Sequence, residues 1–291
     1  MTHSSSIKSI FKEKKKLFSV EFFPPKDEEG GKRMLKTASL IQPYQPDFVS
    51  ITYGAGGGTR TTTMRYAKIL QEEHGFEVMP HLTCVGHTRD ELLEILDDFA
   101  RAGFSNIMAL RGDPPKGETE FKTVPGGLSY GSELVSLIRE NFPEFGIGVG
   151  GYPEKHPEAP NSHVDLLNLK TKVEAGADFI TTQLFFDNQV YFDFVKQCEA
   201  VGITVPILPG LLPVLSLGQV RRFCTMCEAR LPTRLENSLE AQSDENQAKV
   251  GTQWASKQVQ ELLEGGSPGF HLYALNKSAS TLAILKGIGR K

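Results

Sequence analysis

The sequence predicts a single-domain α/β fold, a (β/α)8 TIM-type barrel. Three observations point there. Strand-length apolar runs alternate eight times with helical patterns over roughly 250 residues, the rhythm of this barrel. The strands are short and continuously apolar, as in a parallel sheet covered by helices. Polar residues also close successive strands: Glu21 after Phe18-Ser19-Val20, Thr52-Tyr53 after Phe48 to Ile51, Arg111-Gly112-Asp113 after Asn106 to Leu110, and Gln183 within Phe179 to Phe186. Strand ends are where α/β proteins place their chemistry. The competing open, doubly wound sheet usually carries a glycine fingerprint after its first strand. Here that strand runs into Glu21-Phe22-Phe23-Pro24-Pro25, which is no phosphate loop.

Residues 1–16 read as an N-terminal tail or helix, and 17–291 as the barrel. Lys12, Lys14, Lys15 and Lys16 form a basic run, read as a solvated tail or helix end in preference to a phosphate or partner contact. The predicted strands are Leu17 to Phe23, Phe48 to Tyr53, Glu77 to Cys84, Asn106 to Leu110, Gly146 to Gly151, Phe179 to Phe186, Val205 to Pro209 and Phe270 to Leu275. The clearest helix is Thr88 to Ala102: Thr88 caps it with Glu91 three residues on, Leu92, Leu93, Leu96 and Phe99 form its apolar face, and Gly103 ends it. Ser162 to Ala175 closes at Gly176, and Asn188 to Ala200 at Gly202. Lys116 to Gly127 is a long loop rich in Gly, Lys and Thr, expected to be mobile. The acidic stretch Leu231 to Gly251 reads as a surface excursion with helical pieces before the last strand.

Composition bounds the function. The chain has 291 residues, is 39% hydrophobic and 23% charged, and carries a net charge of −3, so nothing points to nucleic acid. No segment approaches the ~20 apolar residues of a membrane span, and the N-terminus has no apolar signal-type stretch, so a cytoplasmic location is the expectation. The four cysteines imply no disulfide framework. Cys224 and Cys227 form a CxxC without a second such pair, and a helical packing role is favoured over metal or redox work.

Several residues could do chemistry. Glu21 lies between Val20 and Phe22, where burial is expected to raise its pKa toward that of a general acid; pairing with a basic neighbour is the equal alternative. Gly54 to Thr59 resembles a phosphate cradle but lacks a following Gly-Lys-Ser/Thr, so a flexible loop at the mouth is the better reading. His81, in Pro80-His81-Leu82-Thr83-Cys84, is either a satisfied core residue or a ligand contact. Gly150 to Glu158 reads as a rigid, proline-bounded loop offering Tyr152 and His156 to a heteroaromatic ligand. Asp165, Asn168 and Lys172 recur at helical spacing just after it, as a solvated face or as contacts to a polyol chain and phosphates.

Together, Val20-Glu21-Phe22-Phe23-Pro24-Pro25, Pro80 to Cys84, Leu110-Arg111-Gly112-Asp113, Tyr152-Pro153-Glu154, His156-Pro157-Glu158-Ala159, Thr182-Gln183-Leu184-Phe185-Phe186-Asp187 and Phe270 to Asn276 resemble the methylenetetrahydrofolate reductase family over nearly the whole chain. The resemblance implies a flavoprotein barrel with non-covalent FAD at the strand C-termini. In such enzymes NADH or NADPH passes a hydride to flavin N5 and leaves. 5,10-Methylenetetrahydrofolate then takes the same face, opens to an iminium cation and is reduced to 5-methyltetrahydrofolate, feeding methionine synthesis.

The resemblance also carries roles. Glu21 matches the general acid. Asp113 matches the aspartate beside flavin and pterin. Thr52, His81, Arg111, Gly112, Asp113, Tyr130, Gly131, Tyr152, His156, Asp165, Asn168 and Lys172 fall at cofactor-binding positions. Gln183, Gln219, Phe223 and Lys277 fall at substrate-binding positions, with Lys277 standing where arginine is common and Thr171 where a basic residue can touch FAD. The family forms dimers and tetramers, so a homo-oligomer is expected, as is the lack of a regulatory domain after Lys291. Alternatives are another flavin barrel of proline dehydrogenase type and a non-catalytic folate or flavin binder.

Overall fold

Alternation along each strand decides where everything else goes. In the computed structural model, which describes residues 6–53, 60–114, 117–118 and 120–290, the chain runs α1 (Ile7–Glu13), β1 (Leu17–Phe22), α2 (Glu28–Ile41), β2 (Phe48–Ile51), α3 (Arg60–Glu72), β3 (Val78–Thr83), α4 (Arg89–Arg101), β4 (Asn106–Leu110), α5 (Gly131–Asn141) and β5 (Gly146–Gly151). It continues through α6 (Ser162–Glu174), β6 (Phe179–Thr182), α7 (Asn188–Ala200), β7 (Ile207–Leu208), β8 (Gly210–Leu211), α8 (Leu217–Cys227), α9 (Thr233–Glu240), α10 (Asp244–Glu264), β9 (Gly269–Tyr273) and α11 (Ser278–Gly287). All strand pairings are parallel, in the order β7-β6-β5-β4-β3-β2-β1-β9-β8. The α/β barrel expected from the sequence is therefore the observed fold.

Among the described residues nine strands stand where eight were expected, because Pro209 divides the seventh. Proline has no N–H to donate to a ladder. Residues before it pair with β6 and residues after it with β9, so the segment changes neighbour there and draws the sheet toward closure. The sixth strand ends at Thr182, earlier than expected. Beyond it the Leu184 amide donates to the side chain of Gln183 instead of to a neighbouring strand. The Thr88–Glu91 capping box forms as the sequence predicts. The acidic excursion contains α9 and the start of α10. The glycine loop Gly54 to Thr59, and Pro115, Lys116 and Thr119 of the following loop region, lie outside the described residues.

One set of alternate strand residues packs under the helices: Phe18, Val20, Val49, Ile51, Leu82, Ile107, Val149, Ile180 and Leu272 all belong to that buried layer. The other set faces the barrel axis. At the N-terminal end it is apolar, with Leu17, Phe48, Met79, Met108, Phe179 and Leu208 closed from below by Ile7 and Ile10 of α1. The Ile7 amide donates to Asn106 Oδ1 at 2.8 Å, and Lys8 pairs with Asp178 at 2.6 Å, fixing α1 as a plug. Burying the two isoleucines contributes roughly 1.5–3 kcal/mol each. Lys14, from the basic run, pairs with Asp47. No helix among the described residues is long and apolar enough to cross a membrane.

The axis positions of β5 are glycines, and their emptiness is filled from across the barrel. A Cβ on Gly148 would lie 2.6 Å from the Phe179 ring. Phe179 in turn packs on Phe48 and Phe11. Gly148→Ala should therefore overpack the floor and lower stability by about 1–3 kcal/mol, read as a reduced urea midpoint at unchanged slope; an unchanged midpoint would contradict this packing.

Candidate active site

Above the apolar floor the axis-facing residues turn polar. Ser19 and Glu21 of β1, Ser50 of β2, His81 and Thr83 of β3, Thr181 of β6 and His271 of β9 are all buried. Glu21 lies at their centre. Its Oε2 accepts from Ser50 Oγ at 3.2 Å and lies 3.3 Å from His81 Nε2 and 3.5 Å from His271 Nε2. Both Nε2 atoms are buried beside the carboxylate, and among the described residues neither has a well-aligned hydrogen-bond partner. His271 is held from behind, its Nδ1 lying 2.7 Å from Ser19 Oγ and its ring stacked on Phe48. Tyr273 meets it edge-on and donates to the Thr182 carbonyl at 2.6 Å.

This arrangement corrects the expected ionisation of Glu21. Burial does push its pKa up, but His271 and His81 more than offset that and bring it down to about 2. At neutral pH the resting carboxyl is therefore a carboxylate, and Glu21 must gain a proton before it can donate one. Both readings of the sequence were half right: the residue is desolvated, and it is also paired with basic neighbours.

The polar layer opens toward the C-terminal ends of the strands, where most of the other predicted residues stand. Thr52 directly follows β2, with its amide on the Phe22 carbonyl and its carbonyl accepting from Thr63. Gly112 has φ +89°, and a Cβ there would lie 2.7 Å from Val85 and 2.9 Å from Thr83, so only glycine fits. Asp113 is exposed at the rim. Thr83 Oγ1 and Thr181 Oγ1 are buried and find no partner among the described residues, and such hydroxyls at the base of a mouth are free to engage a ligand.

A cationic shelf lies over β4 and β5. Arg111 makes a bidentate pair with Glu158 at 2.5 and 2.6 Å. Lys172 donates to the Gly150 carbonyl at 2.7 Å. Burial pulls the Lys172 pKa down to about 8, with Asp165 opposing and Arg111 assisting. Gly131 opens α5 beside them, 3.4 Å from the Arg111 amide as measured from an added Cβ, and Tyr130 caps that helix with an exposed ring. A helix N-terminus between two cations suits phosphate. Tyr152 and His156 pack edge to face at 4.5 Å, and the His156 amide donates to Asp165. Of the three α6 residues, Asp165 and Lys172 join this shelf, whereas Asn168 is exposed.

Gln219, Phe223 and Lys277 line one open cavity of about 670 Å3, with Arg222 and Leu275. Gln183 lies apart from it, in a narrow cleft with Tyr152 and Cys227. Cys224 and Cys227 sit on α8 and pack against a separate apolar cluster, as a helical packing role requires. Ser19, Ser50, Thr83, Thr181, His271 and Tyr273 join the site without having been singled out from the sequence. The signal was present: every second residue near the strand ends is polar, as in Ser19/Glu21, Ser50/Thr52, His81/Thr83, Thr181/Gln183 and His271/Tyr273.

The molecule is thus a parallel α/β barrel with a buried carboxylate–imidazole cluster beneath a cation-rimmed mouth. The family model "Methylenetetrahydrofolate reductase" matches residues 6–289, and the chain belongs to that family. The 5,10-methylenetetrahydrofolate reductase of Salmonella typhimurium is 39% identical over 273 residues, covering 93% of this chain and 90% of the relative. Methylenetetrahydrofolate reductase (NADH) 1 of Arabidopsis thaliana is 37% identical over 295 residues, 97% of this chain. The chain spans about half the length of the plant relatives it matches (50% for the Arabidopsis protein) and most of the bacterial ones. Among solved structures, a Clostridium thermocellum protein that binds two copies of 5-methyl-5,6,7,8-tetrahydrofolic acid superposes with a TM-score of 0.66 over 98% of both chains at 17% identity, a likeness of fold.

Infrared difference spectra of the protein against Glu21→Gln should show loss of an ionised carboxylate band between about pH 5 and 7; loss of a protonated-carboxyl band instead would contradict the cluster electrostatics.

Proposed function

We propose that this chain reduces 5,10-methylenetetrahydrofolate to 5-methyltetrahydrofolate, using FAD and a nicotinamide nucleotide in two successive half-reactions. The observation that carries the reading is Glu21: a buried carboxylate, flanked by two imidazoles, at the base of an open mouth. A protein that only bound its ligand would have little use for such a proton-handling group in its floor.

The residues at the mouth fit a flavin dinucleotide. Arg111, Lys172 and the N-terminus of α5 would hold its phosphates. Gly112, which no side chain can replace, lets the backbone approach a flat ring, and the unpartnered Thr83 hydroxyl is a ready donor beside it. Tyr152 and His156 would stack or hydrogen-bond along the ligand, with Thr52, His81, Asp165, Asn168 and Tyr130 completing the cofactor contacts. When bound, FAD would supply the two-electron relay between nucleotide and folate.

The remaining roles belong to the chain. Phe223, Gln219 and Lys277 face one cavity and would grip the substrate that enters it, with Gln183 contacting the pterin. Asp113, exposed at the rim, would favour the cationic iminium formed on folate ring opening. Glu21 would deliver the proton that opens the ring. Being ionised in the free protein, it must first gain that proton, and the imidazoles of His81 and His271 are the groups beside it. A ligand that displaces water above the cluster raises the cost of the Glu21 charge and drives the proton onto it. NADH is favoured as donor by the names of the plant relatives. Cytoplasmic location and homo-oligomer formation belong to the same proposal.

An anaerobic absorbance trace tests the reading. Protein loaded with FAD should bleach on addition of NADH or NADPH and recover its colour with methylenetetrahydrofolate. Bleaching without recovery would move the substrate elsewhere, toward another flavin barrel. A protein that never binds FAD would overturn the proposal.

A further inference from the structure

The loop between β5 and α6 carries Tyr152 and His156, yet a residue between them is the most strained of the described non-glycine residues. Lys155 has φ +128°, a region that glycine alone occupies readily. Its side chain is engaged at the same place. Lys155 Nζ donates to three carbonyls of its own loop, those of His156 at 2.9 Å, Pro157 at 3.1 Å and Ala159 at 3.0 Å. An ammonium has three donors, and all three are used to gather carbonyl oxygens as a bound cation would.

The same ammonium lies 3.6 Å from Glu228 Oε2. Glu228 is the C-cap of α8 and is itself left-handed, with φ +51°. Close by, Glu154 Oε2 accepts from the Arg230 amide at 3.0 Å. Two backbone-strained residues therefore meet at a double contact between the Tyr152–His156 loop and the end of α8, the helix that carries Gln219 and Phe223. Loops held in costly conformations cluster where function requires the geometry.

We propose that Lys155 is a positioning residue: a built-in cation that presets the Tyr152–His156 loop for the flavin dinucleotide and latches it to the α8 helix. The inference rests on the functional reading above and adds a residue to which the family resemblance assigned no role. Without the ammonium the three carbonyls lose their common centre, and the loop must be ordered by the ligand at the expense of affinity.

Lys155→Gly tests it. Glycine relieves the backbone strain while deleting the ammonium, so a merely structural lysine would leave cofactor binding untouched. FAD affinity is measured by quenching of flavin fluorescence on titrating apoprotein, first for the parent and then for the variant. The expected result is about tenfold weaker FAD binding, as befits a lost preorganising contact, with apoprotein melting temperature held or raised. Lys155→Met should weaken FAD equally but also lower the melting temperature, because it keeps the strain. Equal FAD affinity in the parent and Lys155→Gly would overturn the inference alone, as would a Lys155→Gly apoprotein that melts lower. A parent that binds no FAD would overturn the functional reading, and this inference with it.

Discussion

Glu21 sits between two imidazoles inside a barrel, and most of the architecture serves to keep that arrangement dry, rigid and open on one side only. The carboxylate belongs to β1, His81 to β3 and His271 to β9. Parallel pairing in register brings the strands together: Glu21 pairs with Tyr273 and Ser50, and Ser19 with His271 and Phe48. A one-residue slip in any of these strands would turn its polar residues outward under the helices. The electrostatics of the site thus depend on strand register, and register depends on the apolar residues alternating with the polar ones.

The floor matters as much as the cluster. Phe48 lies beneath His271, Phe179 beneath Phe48, and α1 beneath both. This apolar stack shields Glu21 from water below. Because β5 offers glycines to the axis, Phe179 fills the centre. Access is left to the C-terminal face, where the cationic shelf and the cavity lined by α8 stand. The Glu21 charge is therefore held in a buried, low-dielectric pocket that opens on one side only.

Much of this was legible in the sequence, and the limits have physical causes. The strands Asn106–Leu110 and Gly146–Gly151 and the helix Asn188–Ala200 match their expected ends, because local periodicity and flanking glycines or caps define them. The division at Pro209 was not legible as a change of partner, since pairing is a tertiary matter. The ionisation of Glu21 was not legible either. Burial can be guessed from Val20 and Phe22, but the two histidines that reverse its effect come from distant strands. Nothing in the sequence singles out Lys155; its positive φ and the three carbonyls gathered around its ammonium exist only in the folded loop.

The central claim is that Glu21 handles the proton of the folate step and no part of the nucleotide step. Stopped-flow absorbance of the Glu21→Gln protein, loaded with FAD, tests it most directly. The account predicts flavin bleaching by NADH or NADPH within a few-fold of the parent rate, and reoxidation by methylenetetrahydrofolate slowed by at least about a hundredfold, the usual scale of a lost general acid. Folate reoxidation at the parent rate would contradict it.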